Sequence, residues 1–404
     1  MLFVSLWLIK NLTFDTASLD GAPIMHILIA PNAFKNSLSA LAVAKAIGEG
    51  LLESKLNCSL EYFPIGDGGD GTSGLIVQKH KGSIITVDVH DALGKKINAS
   101  FGLINNGNTA VIGLADVSGI RLLQPKDLDP LHATTYGTGE LIKHALDKEV
   151  SKIILCIGGS ATVDGGTGIL QALGIRFLNN ENEILRGLPE NLNSLVAIDL
   201  SGLDKRILNC ELIILCDVEN TLSGETGAAK IFGPQKGASL EDVQKLEAAL
   251  TKLRDIALLV TGKDMAAIKH GGAAGGVGAA LSVFCNAILV NGIDHFLTIT
   301  DFDEALQKAD IVITGEGSID VQTLQGKGPY GVAVRAKEKN IPVLGIAGKV
   351  PLKANTQLQK YFDVLLSINH EPCELTTAIQ NTKVNLVRMA KIIGDLMAIQ
   401  THTK

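Results

Sequence analysis

Two of the three glycine-rich strings in this 404-residue chain carry carboxylates or hydroxyls at the spacing that phosphate chemistry uses. The first, GDGGDG at residues 66–71, follows the apolar run YFPI and formally matches the dinucleotide fingerprint G-x-G-x-x-G, whose glycines let backbone N–H groups approach a pyrophosphate. Asp67 and Asp70 would set two negative charges against that pyrophosphate, which argues against a Rossmann site. A cation between carboxylates and phosphate removes the conflict, and Mg²⁺ typically takes one or two carboxylates plus phosphate oxygens. The string is therefore read as a metal and phosphate loop, with a tight turn bearing solvated aspartates as the alternative.

The second string, GGSATVDGG (158–166), follows KIILCI and precedes a helical pattern, so its N–H groups and the hydroxyls of Ser160 and Thr162 are placed to meet an anion at a helix N-terminus. Asp164 would orient a ligand or cap the helix. The third, HGGAAGGVGAAL (270–281), suits close backbone approach to a base or phosphate, or else tight packing against another backbone. Asp217 ends the apolar run ELIILC, where catalytic residues of α/β proteins emerge, and burial there would raise its pKa toward that of a general base. Glu316 and Asp320 follow the run DIVIT. Four acidic loops are thus expected to converge at one sheet edge, which requires Mg²⁺ or the loop lysines Lys35, Lys236 and Lys327 as compensation. Taken singly, each lysine is also explained as a solvated charge.

Positioning these loops requires strands that end where the loops begin. Short apolar runs followed by Gly, Asp or Ser, and then by a helical pattern, are the grammar of α/β folds. Five such strands are expected near the two chain ends, at 27–30, 59–65, 310–314, 342–347 and 364–368, suggesting a flavodoxin-like parallel sheet. Helical patterns occupy 38–55, 169–173 and 330–339, the last opened by Pro329. The middle differs: SIITVDVH, KKINASFGLI and TAVIGLA alternate, and Asn106-Gly107 signals a hairpin. Ser239 and Asp242 form a capping-box signature before a long charged helix, and 374–399 reads as one amphipathic helix. The expected architecture is a flavodoxin-like domain of 25–75 plus 286–404, with a mixed α/β domain inserted over 76–285 and an active-site cleft between them. Residues 1–24 are expected to be a poorly ordered extension.

Composition excludes other classes. Hydrophobic residues at 46% and charged residues at 19% describe a globular chain, not a disordered one. Lys+Arg at 36 against Asp+Glu at 42, without a basic block, gives no footprint for nucleic acid. Six scattered cysteines without a CxxC pair, and nine dispersed histidines, argue against zinc and fit a reducing compartment. The apolar run LFVSLWLI at 2–9 is too short to span a bilayer, so no membrane partner and a cytoplasmic location are expected. There is no Walker A string, nucleophile elbow, kinase HRD or EF-hand loop.

In order along the chain, APNAFKNSLSA, DGGDGT, TTYGTGELI, IGGSATVDGG, CDVENTLSG, IFGPQKGA, GAAGGVGAAL and ITGEGSIDVQTLQGKGPYGVA closely resemble the type I glycerate kinases, over about residues 25–398. The resemblance implies ATP- and Mg²⁺-dependent phosphorylation of D-glycerate, with 2-phosphoglycerate favoured over 3-phosphoglycerate, in a two-domain protein whose second domain interrupts a flavodoxin-like first. The chain departs from the family's usual residues at Asn32, Ala33, Asn36, Asp70, Gly113, Val163, Ser318 and Val321. The alternative is therefore a weakened paralogue, or one shifted to another small hydroxy acid.

On that resemblance Asp217 is expected to accept the glycerate hydroxyl proton, with Asp164 in reserve. Asp67, Asp70 and Asp320 are expected to hold Mg²⁺, and Lys35 and Lys236 to neutralise phosphate or carboxylate. Gly68, Gly69, Gly158, Gly159, Ser160 and Thr162 are expected to cradle phosphates. Gly275, Gly276, Glu316 and Lys327 complete the expected nucleotide site. The expected partners are D-glycerate and ATP, and a homodimer stays open. A nicotinamide-dependent dehydrogenase, resting on GDGGDG alone, and a two-lobed solute-binding protein are the rivals from other classes.

Overall fold

The computed structural model describes residues 24–186, 188–353 and 355–401, so the expected extension lies, except for Ile24, outside the described residues. The chain divides into two compact units, one holding the described residues up to Gly66 and those from Phe296 onward, the other running from Asp67 to His295.

The first unit is built on five parallel strands, Met25–Ile29, Cys58–Tyr62, Ile311–Ser318, Val343–Lys349 and Val364–Ser367. Counted in chain order they stand 2-1-3-4-5 across the sheet, the flavodoxin-like arrangement. Ile27, Leu28, Ile29, Val312 and Ile313 are fully buried, which is why these central strands read as unbroken apolar runs. The helix Ala40–Leu52 starts where the Ser39 hydroxyl accepts the Ala42 N–H at 3.3 Å. Its Ile47 and Leu51 share one core with Leu386, Ala390 and Ile393 of the helix Thr382–Thr401. The single C-terminal helix expected over 374–399 is instead two, Leu375–Gln380 and Thr382–Thr401. At the junction the Thr382 hydroxyl donates to the Ala378 and Ile379 carbonyls at 3.1 and 2.9 Å, competing with the backbone for them.

The second unit holds a six-stranded mixed sheet in the order Ile288–Asn291, Glu211–Cys216, Lys152–Cys156, Thr109–Gly113, Lys96–Ile104, Ser83–His90. The first four are parallel, and Lys96–Ile104 pairs antiparallel with both Thr109–Gly113 and Ser83–His90. Asn105, Asn106 and Gly107, at φ 54°, 57° and 87°, close the hairpin between Lys96–Ile104 and Thr109–Gly113. The long helix Leu240–Thr261 opens on a reciprocal cap: the Ser239 N–H donates to Asp242 Oδ2 at 3.0 Å and the Asp242 N–H to the Ser239 hydroxyl at 3.2 Å.

The unit boundaries fall at Gly66 and His295, not at the expected 75 and 285. Two contacts explain the shift. Val77 of the helix Thr72–Lys79 fills the space beside Gly102 in the second unit's sheet, and Ile288–Asn291 is that sheet's edge strand. Among the described residues no helix is long and apolar enough to cross a membrane.

Candidate active site

Four adjacent parallel strands of the second unit end side by side: Gly113 is in register with Cys156, Cys156 with Leu215, and Asn291 with Cys216. Ligands of open α/β sheets bind outside that carboxyl edge. Two of the glycine strings meet there. The Gly158 N–H donates to the Gly68 carbonyl at 2.9 Å, and a β-carbon on Gly158 would stand 2.5 Å from the Gly69 Cα. Gly68 itself has φ 92° and lies over the end of the neighbouring strand, its β-carbon position 2.7 Å from the Leu215 carbonyl oxygen. Asp67 is buried in the loop and accepts the Gly69 N–H at 3.2 Å. On its other side the second string is tied to the segment after Thr109–Gly113, the Ile120 N–H donating to the Gly159 carbonyl and the Ala161 N–H to the Ser118 carbonyl, at 2.9 and 2.8 Å.

Asp164 is fully buried, and its carboxylate is spent on protein donors. Oδ2 accepts from the Thr135 N–H at 2.8 Å, the Thr135 hydroxyl at 2.7 Å and the Gly168 N–H at 3.2 Å, and Oδ1 from the Gly166 N–H at 3.0 Å. Burial pushes its pKa up and these donors pull against that rise. Such a carboxylate anchors the loop and the start of the helix Thr167–Ala172, a different task from the reserve base expected of it.

Lys236 is also placed differently from expectation. It is only 3% exposed, and its Nζ donates to the Ser160 hydroxyl and the Thr162 carbonyl, both at 2.7 Å. Desolvation lowers its pKa to about 7, against the opposing pull of the Asp164 carboxylate. The Thr162 hydroxyl is buried without a hydrogen-bond partner among the described residues. Gly275 and Gly276 close over the same loop: the Gly165 N–H donates to the Gly275 carbonyl at 2.9 Å, and a β-carbon on Gly276 would stand 2.8 Å from the Gly165 Cα. Tight backbone packing, the alternative weighed for that string, describes both glycines.

Asp217 follows the strand Glu211–Cys216 directly and is half-buried. Burial, with this carboxylate beside it, pushes the Cys216 thiol up to about 12. Asp116 and Arg121 stand at the same edge and were not singled out from the sequence. Arg121 Nε is ion-paired with Asp70 Oδ2 at 3.0 Å, and its Nη2 donates to Asp116 Oδ1 at 2.9 Å. The other Asp116 oxygen accepts the Ser73 hydroxyl at 3.3 Å and fills the space that a side chain at Gly113 would take. Burial raises the Asp116 pKa, opposed by the Arg121 charge. The available signal was position: Asp116 follows the strand Thr109–Gly113 much as Asp217 follows its own.

In the first unit, Met25–Ile29 and Ile311–Ser318 are neighbours at the point where the strand order reverses, the crevice that open α/β sheets use for ligands. The Asn32 N–H donates to the Gly315 carbonyl at 2.8 Å and the Thr314 hydroxyl to the Ala30 carbonyl at 2.7 Å, stitching the two loops together. Lys35 is exposed on the turn closed by the Phe34 N–H and the Leu38 carbonyl at 2.9 Å. Glu316 accepts the Thr323 hydroxyl at 2.9 Å, and Asp320 accepts the Gln322 N–H at 2.8 Å as the cap of the short turn Val321–Gln325. Lys327, half-buried, immediately precedes the helix Gly328–Glu338.

The four acidic loops therefore do not share one sheet edge. DIVIT builds the flavodoxin-like sheet and carries Glu316 and Asp320 with it, whereas KIILCI and ELIILC build the mixed sheet that Asp67, Asp70, Asp164 and Asp217 accompany. Among the described residues no three His, Cys, Asp or Glu side chains gather into a metal-binding group. Phosphate-bound Mg²⁺ needs only one or two protein carboxylates, and the Asp67 carboxylate, set in the glycine loop, fits that demand. Asp70 is ion-paired with Arg121, and Asp320 caps the turn Val321–Gln325.

The sequence profile of the glycerate kinase family matches residues 27–398. A glycerate kinase of Bacillus subtilis (strain 168) is 42% identical over 370 residues, which cover 92% of this chain and 97% of that protein. The glycerate 2-kinase of Escherichia coli (strain K12) is 40% identical, covering 93% and 98% respectively. A crystal structure assigned to glycerate kinase 2 of Salmonella typhimurium LT2 matches with a TM-score of 0.78 at 42% identity, over 94% of this chain and 100% of that one.

Proposed function

Because the chain belongs to the glycerate kinase family, a family of ATP-using phosphotransferases, we propose that it phosphorylates the 2-hydroxyl of D-glycerate with Mg²⁺ as the assisting ion. The observation that supports this most directly is the junction of the two glycine strings, where the Gly158 N–H and the Gly68 carbonyl meet at the carboxyl edge of the parallel strands. The buried Asp67 belongs to the same loop, and glycine loops of this kind at strand ends receive phosphates.

Phosphoryl transfer asks a protein for positioning and charge neutralisation more than for covalent participation. When bound, ATP supplies the phosphoryl group and Mg²⁺ offsets the charge of its oxygens. In the second unit Gly68, Gly69, Gly158, Gly159 and Ser160 would orient phosphate oxygens, Asp67 would hold the metal ion, and Asp217 would accept the proton that the acceptor hydroxyl gives up. In the first unit, Lys35 and Lys327 are the loop cations, and Glu316 is the loop carboxylate that accepts from Thr323.

The test is ADP release by purified protein with Mg²⁺-ATP, with and without D-glycerate, followed by phosphorus NMR of the product. Glycerate-dependent ADP with a 2-phosphoglycerate resonance is the expected result. A 3-phosphoglycerate resonance would revise the regiochemistry, and turnover only with a different small hydroxy acid would favour the substrate-shifted paralogue.

A further inference from the structure

We infer that Lys236 is a positioning residue whose task is to aim the Ser160 hydroxyl at an anionic oxygen of a bound ligand. The inference deepens the phosphotransferase reading above and rests on it. A serine hydroxyl has one proton to donate and two lone pairs to offer, whereas an ammonium group only donates. In its ammonium form, which prevails below about pH 7, Lys236 at 2.7 Å from Ser160 Oγ must be the donor and the serine the acceptor. The serine proton is then directed away from the lysine, and among the described residues no hydrogen bond from that hydroxyl to a protein acceptor is formed.

The second bond of the ammonium, to the Thr162 carbonyl at 2.7 Å, pins the same string two residues further on. Lys236 thus spans Ser160 to Thr162 and fixes the curvature of the loop that follows Gly158 and Gly159. Lys236 is 3% exposed and Ser160 5%, so burial alone does not choose between them; the serine lies within the glycine string itself, and the lysine charge acts through Ser160, whose hydroxyl becomes a stronger donor when its oxygen accepts from a cation. An ammonium held by two neutral acceptors is a costly thing to bury. The carboxylate that acts on it, Asp164, already accepts from Thr135, Gly166 and Gly168. A methionine would fill the same space without that cost, and the arrangement makes sense where the serine must face outward as a donor. The ligand oxygen belongs either to a nucleotide phosphate or to the carboxylate of the acceptor acid.

The experiment is a double-mutant cycle read by calorimetry, with ADP and D-glycerate titrated separately into the wild type, Lys236→Met, Ser160→Ala and the double variant. In one of the two arms, Lys236→Met and Ser160→Ala should each weaken binding about tenfold to a hundredfold, the range of one hydrogen bond to a charged group, and the double variant no further. The arm that responds identifies the anion. Lys236→Gln, which keeps an uncharged N–H donor, should recover part of the loss, and it completes the cycle if Lys236→Met does not fold. Multiplicative losses in the double variant, wild-type affinity for both ligands in Ser160→Ala, or a wild type that binds neither ligand would each overturn the inference. A wild type that binds ADP but releases none in the presence of glycerate would sink the phosphotransferase reading and leave the cycle decisive for Lys236.

Discussion

The Gly158 N–H donates to the Gly68 carbonyl at 2.9 Å, so two strings far apart in sequence form one surface. A β-carbon on Gly158 would stand 2.5 Å from the Gly69 Cα, and a backbone atom cannot step aside as the tip of a flexible side chain does. Gly158→Ala should part the two loops, costing about 1–3 kcal/mol of stability by overpacking and at least tenfold in kcat/KM. Gly74→Ala, an exposed helical position with nothing near its β-carbon, should be neutral or slightly stabilising and leave turnover alone. Thermal melts and steady-state kinetics on the pair decide whether the contact or merely the glycine matters.

Two aspartates of the second unit should respond in opposite ways. Asp217→Asn is expected to lower kcat by about a hundredfold or more while ADP affinity and melting temperature stay near wild type, within the range of general-base loss. Asp164→Asn should instead cost about 2 kcal/mol or more of stability, because an amide would turn a donor toward one of the four protein donors that its carboxylate accepts. A stable Asp164→Asn protein with a collapsed kcat, beside an active Asp217→Asn, would exchange the two roles.

Metal dependence separates Asp67 from Asp70. Chelation of Mg²⁺ should abolish turnover and its return should restore it. Asp67→Asn should raise the Mg²⁺ concentration for half-maximal rate by about tenfold, the order expected when one of one or two protein carboxylates is lost. Asp70→Asn should move that midpoint less, since its carboxylate is taken by Arg121, and an exposed pair of this kind contributes about 0–1 kcal/mol to stability. Equal shifts in both variants would make both carboxylates contribute to the ion's site.

Strand positions were legible because the apolar runs of a parallel sheet stop within a few residues of their loops: 364–368 became Val364–Ser367 and 342–347 became Val343–Lys349. The hairpin at Asn106-Gly107 and the Ser239–Asp242 cap were legible because each is a local device. The use made of each polar side chain was not, since it depends on partners that only the fold brings together. Lys236 sits in a polar string yet is buried, because Ser160 and Thr162 arrive from another part of the chain. Arg121 has no neighbouring motif to mark it, and its importance lies in bridging Asp70 and Asp116. The division of the acidic loops between two sheets follows from strand order, which no single run of residues encodes.

Burial of Lys236 also has a consequence for stability that is separate from activity. Its pKa falls from 10.5 when unfolded to about 7 in the fold. Between those limits the unfolded chain binds the extra proton, so stability should rise with pH from about 7 upward, with a limiting slope on the order of 1 kcal/mol per pH unit. The buried thiols act oppositely. Cys210 is pushed up to about 11, Cys216 and Cys285 to about 12, from an ordinary 9.0, and Cys156 is raised as well. Above pH 9 the unfolded thiols lose protons that the folded ones keep, and stability should fall again. Denaturant melts of the wild type across pH 6 to 11 are therefore expected to peak near pH 9. Lys236→Met should remove the rising limb and spare the falling one; a rising limb that persists in that variant would assign it to another group.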